Sequence, residues 1–199
     1  MTDCLQASFG CGASSNLQGP DARCNIFYTI TYPERPVDIE TLCRKVDVLE
    51  SQDAIRRLKA RYMQACDDRL GPAIADLFWP NGIWEATGPN TAGQVVGRDA
   101  IAAMFEASPR RLTFTTHYLT NEAIEVERDR ASGRWKLFEP CTFQDRLALW
   151  MGGHYVDVFE RRDGEWKFAH LKLHIEFRTP FESGWVKERF ADLSKDNVR

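Results

Sequence analysis

Residues 134–177, RWKLFEPCTFQDRLALWMGGHYVDVFERRDGEWKFAHLKLHIEF, decide the fold. Aromatic and branched side chains alternate with polar ones along most of this stretch, the period-2 signature of strands with one buried face. Asp163-Gly164 interrupts it with a dipeptide suited to a tight hairpin, and Ser132-Gly133 just upstream predicts a second turn. The spacing predicts three long strands over 134–145, 147–161 and 165–177, preceded by shorter ones over 113–119 and 123–128. In the last strand, positions 166, 168, 170, 172 and 174 share one face and mix aromatic with ionisable groups. Ala169, Leu171 and Leu173 make the other face, which is plainly apolar. Period alone leaves open which face lines the interior.

Upstream the pattern turns helical. Ile39, Leu42, Val46 and Leu49 form a short apolar seam, suited to a packed or oligomer-facing helix. A restart capped by Ser51-Gln-Asp53 carries Ile55, Leu58, Tyr62 and Ala65 along one face to about Asp68. Gly71-Pro72 breaks that helix and Pro72 opens a second one through Phe78. Trp79-Pro-Asn-Gly82 reads as a turn, 83–87 as a strand and 98–107 as a third helix. Helices followed by a meandering, mostly antiparallel sheet define an α+β fold, a curved sheet wrapped round a long helix as a cone with an open end. The domain spans 37–182, with a Gly/Ser/Asn/Pro-rich extension at 1–36 and a tail at 183–199. The β-prone run 25–32 has the character of an arm strand.

A net charge of −3, from 26 basic and 29 acidic residues, comes without a basic stripe interleaved with aromatics, so nucleic-acid binding has no support. No apolar run approaches the ~20 residues that span a bilayer. The start of the chain lacks the basic and apolar regions of a secretory signal. Six cysteines without a C-x-x-C pair fit reduced thiols in a cytoplasmic protein. The 12 Phe, 6 Trp and 5 Tyr fill a core and also suit a pocket for a flat hydrophobic small molecule.

Four histidines, His117, His154, His170 and His174, all fall in expected strands. On a strand, His170 and His174 stand ~13 Å apart, too far to share a zinc ion, so neither metal nor other cofactor is expected. His117 lies in a polar β-prone run and Asp67 at a helix C-terminus, where the helix dipole disfavours an acid. Taken singly, each fits an ordinary structural residue as readily as a catalyst.

Five short motifs occur in order: Tyr62-Met-Gln-Ala-Cys-Asp67, Gly97-Arg-Asp-Ala-Ile101, Thr116-His-Tyr-Leu-Thr-Asn121, Gly153-His-Tyr-Val-Asp157 and the hairpin over 161–168. Together, over about 50–178, they resemble the SnoaL-like, NTF2-like superfamily. Within it the chain is similar to scytalone dehydratases, bile-acid 7α-dehydratases and hexachlorocyclohexane dehydrochlorinases. The resemblance implies an acid–base pair at the matching positions, Asp67 and His117. It also implies a homo-oligomer, trimer or dimer, and chemistry of the secondary-metabolism kind. Tyr62 and Glu139 match or fall near pocket residues of the bile-acid enzymes, and Trp84, His154 and His174 complete the expected substrate-binding set. Cys66 and Pro140-Cys141 depart from the scytalone pattern, so that family's leaving-group machinery is not reproduced. The reading is a dehydratase-type lyase acting by β-elimination on a hydroxylated polycyclic or aromatic compound. The alternatives are a cyclase or isomerase using the same dyad and a non-catalytic binding or oligomerisation module.

Overall fold

The computed structural model describes residues 38–193 apart from 90 and 92. The expected arm at 25–32, the extension at 1–36 and the cysteines at 4, 11 and 24 lie outside the described residues.

Helix α1 (Ile39–Asp67) runs for 29 residues. Ile55, Leu58, Tyr62 and Ala65 follow the three-and-four spacing of one helical face, and all are buried. The restart expected at 51–53 does not occur, because the residues that could cap a new helix fasten this one sideways. Ser51 Oγ accepts a hydrogen bond from Arg161 at 3.3 Å, and Asp47 accepts two from the same guanidinium at 2.6 and 3.2 Å. Leu42, Val46 and Leu49, in the first half, remain 44%, 42% and 63% exposed. The helix stops ahead of Gly71-Pro72. Arg69 adopts a left-handed backbone (φ 59), Leu70 N–H donates to Ala65 O, and Arg69 N–H donates to Cys66 O. That pairing is a Schellman stop, and it leaves Asp67 as the last helical residue.

Helix α2 (Gly71–Ala75) is shorter than expected, and Phe78 already opens β1 (Phe78–Thr87). Trp79–Gly82 is thus an irregular part of a strand rather than a free turn. After β2 (Gly93–Val96) and α3 (Arg98–Ala107) come β3 (Leu112–Thr115), β4 (Tyr118–Glu127), β5 (Arg130–Phe143), β6 (Leu147–Arg162) and β7 (Glu165–Pro180). The sheet order is β2-β1-β7-β6-β5-β3, with β4 also pairing β5. Among the described strands only the β1–β7 pair is parallel. The result is an α+β half-barrel, a curled mixed sheet whose inner face meets α1.

The turn expected at Ser132-Gly133 falls instead at 128–129, where Arg128 carries φ 54. Gly133 lies within β5, and its missing side chain makes room for Trp135, whose ring comes within 2.4 Å of where a Cβ would be.

Two bulges settle the question left open in the last strand. Val158 pairs with His170 but Phe159 with Phe168, so Ala169 is an extra residue. Gly152 pairs with Phe177 but Gly153 with Ile175, so Glu176 is another. Each bulge exchanges the faces of β7. Trp166 and Phe168 point inward, then Leu171, Leu173 and Ile175, and beyond Glu176 the even position Arg178. The second bulge needs the glycine pair, since a Cβ on Gly153 would lie 2.0 Å from the His174 carbonyl oxygen.

One charged pair lies inside the core. Lys59 and Asp157 are 1% and 0% exposed, and their charged atoms are 2.7 Å apart. Lys59 Nζ also sits 3.3 Å from the Tyr155 ring centroid. Burial disfavours both charges, pulling the Lys59 pKa down and pushing the Asp157 pKa up, while each partner opposes the shift. Removing one member strands the other. Lys59→Met is therefore expected to cost about 3–5 kcal/mol in urea unfolding, and Lys59→Met with Asp157→Leu to recover most of it.

Candidate active site

Between α1, α3 and the inner face of the sheet lies a cavity of about 560 Å³. Its walls include Tyr62, Trp84, Phe105, Phe143 and Tyr155, with His117 and Glu139 set among them. The size suits a drug-sized ligand, and rings with a few converging polar groups are the usual make-up of such a site.

His117 was expected inside a strand but lies in the two-residue break between β3 and β4. Both strands pair with β5, and the break faces Pro140 and Glu139. Proline has no N–H to give to a ladder, so the partner strand lets go there. Thr116 N–H reaches the Pro140 carbonyl at 3.2 Å, and His117 turns towards the end of α1.

There it meets Asp67. His117 Nδ1 is 2.6 Å from Asp67 Oδ1, and the His117 backbone N–H donates to Oδ2 at 3.1 Å. The Thr115 hydroxyl also donates to Oδ1, at 3.1 Å. Burial alone would raise the Asp67 pKa, but these hydrogen bonds and the imidazole outweigh it and hold the carboxyl below its ordinary range. An ionised carboxylate only accepts, so Nδ1 carries the proton and Nε2 is left to act.

On that side His117 Nε2 sits 3.3 Å from Glu139 Oε2. Burial would lower the His117 pKa, yet Glu139 and Asp67 together raise it. Glu139 is 2% exposed, and burial lifts its pKa to about 7 against the pull of His117. One imidazole thus stands between two carboxyls, one firmly ionised and the other poised to hold or release a proton near neutrality.

The expected Tyr62 and Trp84 line the cavity together, and Trp84 Nε1 donates to the Tyr62 hydroxyl at 3.0 Å. Burial keeps Tyr62 a neutral phenol. His154 and His174 are a correction. They alternate with the cavity-lining Tyr155, Leu173 and Ile175 and so project from the opposite face of the sheet. There His154 Nδ1 lies 2.8 Å from Glu176 and His174 Nδ1 lies 3.0 Å from Thr87 Oγ1. His170 on the same face meets Glu85 at 2.8 Å. Cys66 and Cys141 line the cavity, but burial pushes both thiol pKa values up, which withholds the thiolate a nucleophile needs. Arg178 was not anticipated, because it enters the cavity only through the bulge at Glu176. Among the described residues no helix is long and apolar enough to cross a membrane.

The sequence profile of the SnoaL-like domain matches residues 47–172, and the chain belongs to that family. It is 26% identical over 142 residues to the gamma-hexachlorocyclohexane dehydrochlorinase of Sphingobium indicum, covering 68% of this chain and 86% of that one. The crystal structure of a type 2 hexachlorocyclohexane dehydrochlorinase superposes with TM-score 0.62 at 25% identity, over 72% of this chain and 95% of that one. An NTF2-like protein with a cystatin-like fold from Novosphingobium aromaticivorans superposes with TM-score 0.55 at 22% identity, over 71% and 92%. The fold is NTF2-like, and the family includes lyase-type enzymes.

The raised Glu139 pKa has a consequence for stability. A carboxyl that prefers its neutral form in the folded state supports folding below pH 4.5 and loses that support as pH rises through about 7. Glu139→Gln is expected to raise Tm by several degrees at pH 8 and hardly at all at pH 4.5, which a pair of thermal scans reads directly.

Proposed function

We propose that the chain is a cofactor-independent lyase of the dehydratase type, acting on a hydroxylated polycyclic or aromatic small molecule. The observation that carries the reading is His117, held through Nδ1 by Asp67 with Nε2 turned to the cavity and Glu139. In this reading Nε2 takes a proton from a carbon made acidic by a neighbouring carbonyl or ring. The electron pair left behind forms the new double bond, and the hydroxyl on the adjacent carbon leaves. Glu139, neutral at the start, gives that hydroxyl its proton, and water departs. Asp67 keeps the imidazole in the right tautomer and steadies the imidazolium that forms. Tyr62 is the second donor in reach of a substrate carbonyl.

A cyclase or isomerase would use the same dyad, with the proton returned to carbon and nothing lost. The short path from Nε2 to Glu139 supports that version, since it gives the proton a place to go. Product mass separates the two, because dehydration removes one water. The exposed seam of Leu42, Val46 and Leu49 supports a homo-oligomer. A cytoplasmic setting is part of the same proposal.

His117→Ala and Asp67→Asn are each expected to lower kcat by about 10²–10⁴-fold with the fold retained by circular dichroism. His154→Ala and His174→Ala are expected to leave turnover within a few-fold of the parent. Loss of turnover in the second pair, with the first active, would move the base to the other face of the sheet and sink the proposal.

The shared proton also sets a pH profile. Activity needs neutral His117 together with protonated Glu139, so kcat/KM is expected to be bell-shaped with its maximum near neutrality. The acid limb comes from His117, whose pKa is raised, and the alkaline limb from Glu139, which titrates at about 7. Glu139→Gln is expected to lower the rate by about 10²-fold or more and to leave the residual activity without an alkaline limb, measured as initial rate against pH.

A further inference from the structure

Among the described residues, two buried side-chain polar atoms have no hydrogen-bond partner, Arg178 Nε and Thr91 Oγ1. Both residues line the same cavity. An unpaired polar atom is costly to bury, and a guanidinium more so, unless something outside the chain completes it. Among the described residues the Arg178 guanidinium forms no ion pair, although Glu139 attracts it through space.

The placement of Arg178 relative to His117 follows from register. Glu139 pairs with Met151, and Met151 with Arg178, so the three form one row across β5, β6 and β7. Neighbouring strands are ~4.8 Å apart, which puts the backbones of Glu139 and Arg178 about 10 Å from each other, with the thioether of Met151 between. His117 stands at the far side of Glu139. A second cation, Arg111, also lines the cavity and repels Arg178 electrostatically. Arg178 therefore faces the cavity at one end of this row and the base stands at the other, with the exposed Arg111 near enough to be felt by Arg178.

We propose that Arg178, assisted by Thr91 and Arg111, is an anion anchor, and that the substrate is an aromatic or polycyclic carboxylic acid. The planar fork of arginine matches a carboxylate bidentately, and the Thr91 hydroxyl supplies a further donor. Held this way, the acid lies over Arg178 while the ring skeleton crosses Met151 and brings a distant carbon to His117 Nε2. Arg178 is a positioning residue and takes no part in proton transfer. The proposal rests on the lyase reading for where the reacting carbon sits, but the anchor binds whether or not chemistry follows.

Calorimetric titration of the full chain with benzoate, 2-naphthoate and phenanthrene-9-carboxylate, each beside its neutral carboxamide, tests it. At least one acid is expected to bind roughly 10- to 100-fold more tightly than its amide. Arg178→Gln is expected to erase that preference while leaving amide binding as it was, and Arg178→Lys to restore part of it. Where Arg178→Gln does not fold, Arg178→Met keeps the length, removes the charge and gives the same comparison. His117→Ala is expected to keep the preference, and a parent chain that selects acids but turns none of them over would count against the lyase reading alone. The anchor is overturned if no acid in the series outbinds its amide, or if a folded Arg178 variant without the charge selects acids as before.

Discussion

A lysine ammonium in the middle of an apolar core has to find a carboxylate, and Lys59 finds Asp157 at 2.7 Å. Such a pair is poor as a source of stability, because desolvating both charges offsets most of their attraction. As a constraint on position it is strong. It joins the middle of α1 to β6, a strand that pairs with both β5 and β7, and sliding the helix by one residue would leave two charges stranded in hydrocarbon. Asp67 follows Lys59 on the same helix by eight residues, ~12 Å along the axis. With the helix pinned at Lys59 and stopped at Arg69, the Asp67 carboxylate is delivered to His117 at the mouth of the sheet.

The site that results is governed by how unequally two carboxyls are treated. Asp67 sits where a helix ends and receives hydrogen bonds from His117 and Thr115, so it stays charged. Glu139 sits where a core residue would, with few donors to answer its charge, and its pKa moves to about 7. His117 feels both. The difference between the two acids leaves a fixed carboxylate on the Nδ1 side of the ring and a carboxyl able to carry a proton on the Nε2 side. Tyr62 and the two thiols, kept neutral by burial, add no competing charge.

Much of this was legible in the residues. The α+β order, the long strands and the Asp163-Gly164 hairpin follow from period and turn chemistry, and ordered motifs singled out Asp67 and His117. Glu139 carried a signal that a stricter reading would have used. It occupies the inward phase of Trp135, Leu137, Glu139, Cys141 and Phe143, where an acid has no surface to reach. Lys59 and Asp157 interrupt apolar phases in the same way. What period could not supply were its own interruptions. A rule that assigns faces by even and odd numbering has no means of noticing an extra residue, so it leaves the faces of β7 open and gives no sign that Arg178 enters the cavity. Ser132-Gly133 misled for a related reason: glycine there serves the approach of an aromatic ring, a packing demand that local sequence does not display.

The bulge at Glu176 behaves like a phase shifter. Before it, odd-numbered side chains of β7 belong to the cavity; after it, even-numbered ones do. Tolerance to substitution along this strand should therefore not follow a single rhythm, and two neighbours with similar side chains can answer to different selective pressures. It also means that the chemistry of the cavity wall can change without any cavity residue being replaced. Deleting Glu176 would make the strand regular and leave Arg178 facing the cavity, whereas straightening the bulge with its residue kept would turn Arg178 outward and present Phe177 in its place. A chain of this kind carries an alternative pocket in the phase of one strand.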